Sequence, residues 1–200
     1  MSTVANTTAA PLTVLLDTER LHLRKADAAA LSYLYNECTA AEGARLLGLP
    51  ADAYQREKAK FAGGFTTFNK TFLFVHLLPK GSDVAIGWCG FHTWYTDHAR
   101  AEIGYVLTDE TQRGKGYMSE ALGAVLAYGF RELGLHRIEA FVGPGNTPSL
   151  RLMERHGFVR EGLLREHYFT NGRHEHSVVF GLLRAEWLQR TQGETPNQQR

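Results

Sequence analysis

Cysteine is scarce: Cys38 and Cys89 are the only two in 200 residues, too few for a disulfide framework or a four-thiolate metal site. A charge excess of either sign is also missing, since 22 Lys and Arg face 21 Asp and Glu for a formal charge of +1. Proteins that live on phosphate backbones or anionic membrane surfaces carry a basic excess, so neither nucleic acid nor membrane is expected as a partner. No apolar run approaches the ~20 residues that a membrane-spanning helix requires. Met1 to Leu16 has no Lys or Arg ahead of its apolar cluster, so the charged opening of a signal peptide is absent. Internal repeats and low-complexity tracts are absent too. These absences leave a cytoplasmic globular chain. Its composition, 44% hydrophobic, 22% charged and 11% aromatic, is enough to bury a core.

Both ends read as tails. Met1 to Ala10 is small and polar, and the segment from Gln189 to Arg200 has no aromatic after Trp187. The organisation expected is a flexible tail over 1–14, one domain over 15–188 and a second tail over 189–200. Within that domain the hydrophobic period changes repeatedly. Arg20 to Arg24, Thr71 to Leu78, Val84 to Trp94, Ala101 to Leu107, Ile138 to Val142, Val159 to Tyr168 and Val178 to Leu183 read as strands. Pro79 to Asp83 and Asn171-Gly172 read as turns. Asp27 to Cys38 and Ala51 to Phe65 read as helices, and the segment between Cys38 and Lys70 is otherwise the least legible. Met118, Ala121, Leu122, Val125, Leu126, Phe130 and Leu133 recur at helical spacing, and Gly134 stops that helix. Pro148 to His156 is a short helix opened by Asn146. The fold class predicted is α+β, with a mostly antiparallel sheet of about seven strands flanked by helices.

The segment Thr111-Gln-Arg-Gly-Lys-Gly-Tyr117 lies between a strand and the long helix. Gly114 and Gly116 allow close approach to a ligand, and first-turn amides of a helix have no intrahelical partner. With Lys115 adding charge, the segment suits an anion, most often phosphate. The glycine spacing matches neither the phosphate loop of nucleotide hydrolases nor the dinucleotide fingerprint. Just upstream, Glu102-Ile-Gly-Tyr-Val-Leu107 puts Glu102, Gly104 and Val106 on one face, with bare backbone beside the carboxylate.

These motifs, with Asn146-Thr-Pro-Ser149 and Gly157-Phe158 following in order, resemble the GNAT superfamily of N-acetyltransferases. The match is nearest to the branch holding the ribosomal-protein N-terminal (RimJ/RimL-like) acetyltransferases. Thr18-Glu-Arg-Leu-His-Leu-Arg24 and Glu161-Gly-Leu-Leu-Arg165 also look like that branch, and the likeness runs from about Thr18 to Trp187. The resemblance implies a splayed parallel strand pair, Glu102–Leu107 and Arg137–Val142, holding acetyl-CoA as co-substrate without a metal. It implies that the pyrophosphate lies on Gln112, Arg113, Gly114, Lys115 and Gly116, with Tyr117 and Met118 nearby. Val106 and Leu107 would pair with the pantetheine arm through their main chain, and Asn146 would bind its far side. Ser149 would stabilise or protonate the leaving thiolate, and Glu102 would be the base that neutralises the amine. The acceptor implied is a protein N-terminal α-amine, with small-molecule amines open and a homodimer undecided. A non-catalytic acyl-CoA-binding or sensing protein of the same fold is the alternative.

Each of these residues has a plainer reading. Glu102 could form an ion pair with Arg100 or Arg137, and Ser149 and Asn146 could simply cap a helix. Phe91-His-Thr-Trp-Tyr95 reads as core and pocket wall. His174 and His176 share a strand face, but with no third ligand evident no metal is expected. Two positions depart from the branch pattern: Thr111 replaces the usual Gln or Arg, and His176 stands where an aspartate is commoner.

Overall fold

Period-two segments form strands and three-and-four segments form helices in the computed structural model, which describes residues 12–64, 72–170 and 172–193. The strands are β1 (Val14–Asp17), β2 (Leu21–Ala26), β3 (Leu73–Pro79), β4 (Gly87–Tyr95), β5 (Arg100–Leu107), β6 (Arg137–Val142), β7 (Val159–Thr170) and β8 (Arg173–Leu183). They lie in one sheet in the order β1-β2-β3-β4-β5-β6-β8-β7. Pairs β1–β2, β2–β3, β6–β8 and β7–β8 are antiparallel, whereas β5–β6 is parallel. Among the described residues the sheet has eight strands, in keeping with the mostly antiparallel sheet of about seven that the sequence predicts. The addition is β1, whose four residues VLLD are too short and too uniformly apolar to show an alternation.

The helices are α1 (Ala28–Ser32), α2 (Ala40–Leu47), α3 (Ala51–Ala62), α4 (Tyr117–Arg131), α5 (Thr147–Arg155) and α6 (Arg184–Gly193). None of the described helices is long and apolar enough to cross a membrane. The described chain divides into two compact units. Among the described residues, one comprises 12–64, Leu73–Trp88 and Val106–Tyr117; the other comprises Phe72, Cys89–Tyr105, 118–170 and 172–193.

In the first unit, β2 sends Leu21 and Leu23 into the core, and Asp27 caps α1 by accepting the Ala30 N–H at 3.0 Å. The helix expected over Asp27–Cys38 does not continue as one α-helix. After Ser32 the backbone widens into a π-helical turn, Tyr33–Glu37, in which the Cys38 N–H reaches the Tyr33 carbonyl at 3.0 Å. That shift diverts from the Leu34 carbonyl the amide an α-helix would have supplied. The hydroxyl of Tyr54, fully buried on α3, donates to Leu34 O instead at 2.9 Å. Helix α2 lies in the illegible segment, between the Thr39 cap, which accepts the Glu42 N–H, and Gly48 at φ 60°. Helix α3 ends at Ala62 on Gly63 and Gly64; Phe65, Thr71 and Asn171 lie outside the described residues.

In the second unit, the buried face of α4 is Met118, Ala121, Leu122, Val125, Leu126, Gly129 and Phe130, and the helix stops before Gly134 at φ 66°. Beyond β8 the chain does not become a tail at Gln189. Trp187 is buried with its ring 5.3 Å from Phe130, and α6 continues to Gly193. One anchored aromatic offsets the ordering entropy of the polar residues that follow it.

Removing the Tyr54 hydroxyl leaves a buried carbonyl without its donor. Tyr54→Phe is expected to lower the free energy of unfolding by about 1–3 kcal/mol in a denaturant titration. A loss of only a few tenths would show that the π turn does not depend on this bond.

Candidate active site

Strands β5 and β6 pair over three positions only: Arg100 with Arg137, Ala101 with Ile138, and Glu102 with Glu139. The register ends there, although β6 runs on to Val142 and β5 continues through Ile103 to Tyr105 within the same unit. A parallel pair that separates after three residues leaves main-chain groups without a strand partner just beyond Glu102. This is the splay that the family resemblance implies.

Four side chains at the base of the splay set the local charge. Arg100 Nη1 donates to Glu139 Oε1 at 2.6 Å, and Arg137 Nε lies 3.3 Å from Glu139 Oε2. Arg137 also donates two hydrogen bonds to Glu161, at 2.8 and 2.6 Å, the two-pronged geometry that guanidinium and carboxylate favour. This last pair crosses Gly181 on β8, where a Cβ would sit 2.5 Å from Arg137 Nη1. Both arginines are thereby committed to other acids. The plain reading of Glu102, an ion pair with Arg100 or Arg137, is not what the structure contains.

Glu102 is 9% exposed and meets two residues of β4. Thr93 Oγ1 donates to Glu102 Oε2 at 3.3 Å, and His92 Nε2 lies 3.6 Å from Oε1. Burial, followed by repulsion from Glu139, pushes the carboxyl from its ordinary 4.5 to about 7, against the opposing hydrogen bond from Thr93. A carboxyl at that value exchanges protons at neutral pH. The segment Phe91–Tyr95 divides its work. Phe91 is fully buried core, His92 and Thr93 face Glu102, and the Arg100 guanidinium lies over the Tyr95 ring at 4.2 Å.

Ser149 stands in the first turn of α5. Its backbone N–H donates to the Asn146 side chain at 3.2 Å, so Asn146 is the helix cap. The Ser149 hydroxyl does not cap the helix; it accepts from the Tyr105 hydroxyl at 3.1 Å. Burial raises the Tyr105 hydroxyl to about 12. With Tyr105 donating to Ser149, the Ser149 hydrogen is left to point elsewhere.

In the other unit, the glycine loop expected to take an anion is built by local bonds. Asp109 accepts from the Thr111 N–H at 2.9 Å and from the Gln112 side chain at 3.2 Å. The Gln112 and Arg113 amides bond to the carbonyls of Asp109 and Glu110, both at 3.1 Å. These two amides are occupied by the turn itself. Gly114 and Gly116 hold φ of 77° and 84°, where a side chain is strained. The Lys115 ammonium donates to Gln112 Oε1 at 3.1 Å. Arg20, whose place only the tertiary structure reveals, donates to the Lys115 carbonyl at 2.9 Å and lies over the Tyr117 ring at 4.7 Å. Val106, half exposed, and Leu107 end β5 in this same unit.

His176 has a structural task. Its Nδ1 accepts the Glu166 N–H at 2.8 Å, holding an irregularity of β7 in which Glu166 takes φ 52°. His174 stacks near Phe169. Among the described residues, no group of three or more His, Cys, Asp or Glu side chains is placed to hold a metal.

Comparison with known proteins identifies the family. The model of the acetyltransferase (GNAT) domain matches residues 20–159. An uncharacterized N-acetyltransferase of Bacillus licheniformis, p20, is 43% identical over 111 residues, 56% of this chain and 62% of p20. Spermidine N(1)-acetyltransferase of Vibrio cholerae is 35% identical over 95 residues, 48% of this chain and 54% of that protein. The chain thus spans less than two thirds of the length of either relative. Among solved structures, mutant forms of the spermidine/spermine N-acetyltransferase SpeG from Vibrio cholerae align with a TM-score of 0.65 at 22% identity. That alignment covers 86% of this chain and 98% of the other, a likeness of fold.

The displaced Glu102 carboxyl ties stability to pH. Between 4.5 and about 7 the unfolded chain has released this proton and the folded chain retains it, so stability falls as pH rises through that window. Glu102→Gln is therefore expected to raise stability by about 1–3 kcal/mol at pH 8 and leave it nearly unchanged near pH 4. Thermal unfolding at the two pH values checks this, and an equal shift at both would contradict it.

Proposed function

Since the chain belongs to the GNAT acetyltransferase family, we propose that it moves an acetyl group from acetyl-CoA directly to a primary amine, with a protein N-terminal α-amine as acceptor. The observation that carries this reading is Glu102: a buried carboxyl beside the parting of β5 and β6, held by a threonine hydroxyl, and displaced to about 7. The whole of 15–188 is read as one acyltransferase domain, since β4 and β5 each run from one unit into the other. The ribosomal-protein branch is supported by the motifs at Thr18–Arg24 and Glu161–Arg165.

In this reading the pyrophosphate takes the amides of Gly114, Lys115, Gly116 and the first turn of α4, with Gln112, Arg113, Tyr117 and Met118 around it. Arg20 supplies charge beside them. Main-chain groups of Val106 and Leu107 pair with the pantetheine arm, and an N–H there polarises the thioester carbonyl. Asn146 binds the arm while capping α5. Ser149 stabilises the thiolate, with Tyr105 donating to its oxygen so that the serine hydrogen is aimed at sulfur.

The proton chemistry favours an α-amine. A base near 7 lies about one unit below a peptide α-amine at roughly 7.7–8.0, but more than three units below a lysine-like alkylamine at roughly 10.4. The arginines beside the base also neutralise Glu139 and Glu161, so these two acids are not available to the further positive charges of a polyamine.

Titration calorimetry with acetyl-CoA, using ATP and NAD as controls, is expected to show micromolar binding of acetyl-CoA alone. Gly114→Val should weaken it at least tenfold, because the side chain enters the space left for the phosphates. Thiol release is then followed with a free α-amine peptide, an Nα-blocked lysine peptide and spermidine. We expect the free α-amine peptide to react fastest, with kcat/KM falling tenfold per pH unit below about 7 and that limb lost in Glu102→Gln. Faster reaction of spermidine would overturn the acceptor assignment, and binding with no turnover on any amine would leave the binding-only alternative.

A further inference from the structure

We propose that the turn Thr18–Leu21 is a brace for the glycine loop: Arg20 is a positioning residue that holds the Lys115 carbonyl toward itself and thereby aims the Gly116 N–H at the opposite side, where an anion would lie. This rests on the reading of that loop as the acetyl-CoA pyrophosphate site, and it adds what keeps the loop in its binding form.

No step of acetyl transfer uses Thr18-Glu-Arg-Leu21, yet the backbone of this turn is fixed. The Thr18 N–H donates to the Leu21 carbonyl at 3.0 Å, and the Leu21 N–H donates to Thr18 Oγ1 at 3.1 Å. The Lys80 N–H donates to the Arg20 carbonyl at 2.9 Å, and the Leu21 side chain is fully buried. Arg20 therefore departs from a held main chain, although it is itself exposed.

Its guanidinium meets three consecutive residues of the loop. Nη1 donates to Lys115 O at 2.9 Å, and the group lies over the Tyr117 ring at 4.7 Å. Between them, Nη2 is 3.3 Å from the point where a Cβ on Gly116 would stand. Ordering a long surface side chain costs rotamer entropy, and a planar guanidinium offsets that cost by fitting a carbonyl and an aromatic face together. Removing an exposed residue opens no cavity in the core, so the effect of losing Arg20 falls on the loop.

The effect on the loop follows from peptide geometry. In a trans peptide the C=O and the N–H point in opposite directions, and no peptide bond of the described residues is cis. With Lys115 O turned toward Arg20, the Gly116 N–H of the same peptide turns away from it. Gly116 directly precedes α4, so this N–H has no acceptor within the helix. The peptide would not hold that orientation unaided. Glycine accepts either sign of φ, so Gly116, at φ 84°, can let the 115–116 peptide flip at little cost. A flipped peptide presents a carbonyl oxygen where the N–H had been, and attraction for an anion becomes repulsion. Glycine gives the loop its bare backbone and also its freedom to flip, and Arg20 removes that freedom.

NMR of the ligand-free full chain reads the peptide directly. Arg20→Met is expected to move the Lys115 carbonyl carbon upfield, as a carbonyl losing its donor does, and to change the residual dipolar coupling of the Gly116 N–H. Titration calorimetry with acetyl-CoA reads the consequence. Arg20→Met should bind about tenfold more weakly, the worth of a hydrogen bond from a charged donor. That deficit should persist at high salt, where a charge merely near the phosphates is screened. Arg20→Lys, whose ammonium can still donate to the carbonyl, should stay within about threefold of the wild type. A tether serving stability alone would lower the unfolding temperature of Arg20→Met and leave its acetyl-CoA affinity unchanged. Unaltered Lys115 and Gly116 signals in Arg20→Met, or a deficit that vanishes at high salt, overturns the positioning role. If the wild type itself fails to bind acetyl-CoA, the cofactor reading falls and this inference with it; if the wild type binds and Arg20→Met binds as well, only the role of Arg20 does.

Discussion

Arg100 and Arg137 could each have neutralised Glu102, and the character of the candidate site follows from the fact that neither does. Glu139 bridges the two guanidinium groups and Glu161 takes the far side of Arg137 in a paired contact. The arrangement depends on register, because β6 places Glu139 opposite Glu102 and β8 places Gly181 opposite Glu139. A Cβ at 181 would sit 2.5 Å from Arg137 Nη1, so the Arg137–Glu161 contact would have to shift to admit it. The acids and bases of this cluster satisfy one another, and Glu102 remains as a buried carboxyl beside a negative neighbour. Burial then does what it does to any lone acid, favouring the protonated form.

Supporting residues come from separate parts of the chain for separate reasons. Strand β4 contributes Thr93 at a backbone conformation it would not choose alone, and thereby fixes a hydroxyl on the carboxylate. Helix α5 contributes Ser149, whose backbone is held by Asn146 and whose hydroxyl is held by Tyr105. Ser149 is thus held at both its backbone and its hydroxyl. Such preorganisation is what acyl transfer requires, since charge moves at three atoms in one step.

The glycine loop follows a different logic. Asp109 gathers the amide and hydroxyl of Thr111 together with the Gln112 side chain, and the turn uses its own first amides. Rigidity in the first half leaves the donors to the second half, where two positive-φ glycines keep the backbone bare. Arg20 bonds to the Lys115 carbonyl from the far side, adding positive charge beside a turn already suited to an anion.

Much of this was legible in the residues. Helix α4 declared its buried face through spacing, Gly134 marked its end, and Asn146 marked the cap of α5, because these are local rules acting over one or two turns. The glycines at 114 and 116 declared a tight positive-φ turn because other residues are strained at those backbone angles. Strand β1 was illegible because four residues are too short to show a period, and the π turn because no composition distinguishes it from an α-helix. Helix α6 outran its polar sequence because one buried tryptophan anchors it.

The division at the site is sharper. By itself the sequence determined which chemical groups were on hand: a glutamate on a strand, a serine and asparagine opening a helix, and glycines before another. The pairing across the sheet decided which of them would be free to react. Whether Glu102 met an arginine or a threonine depended on strand order and register, which join residues tens of positions apart and leave no local trace. His92, Thr93, Tyr105 and Arg20 acquired their places in the same way. Local sequence sets backbone angles and donor inventories, whereas desolvation and charge partnering are properties of neighbours in space.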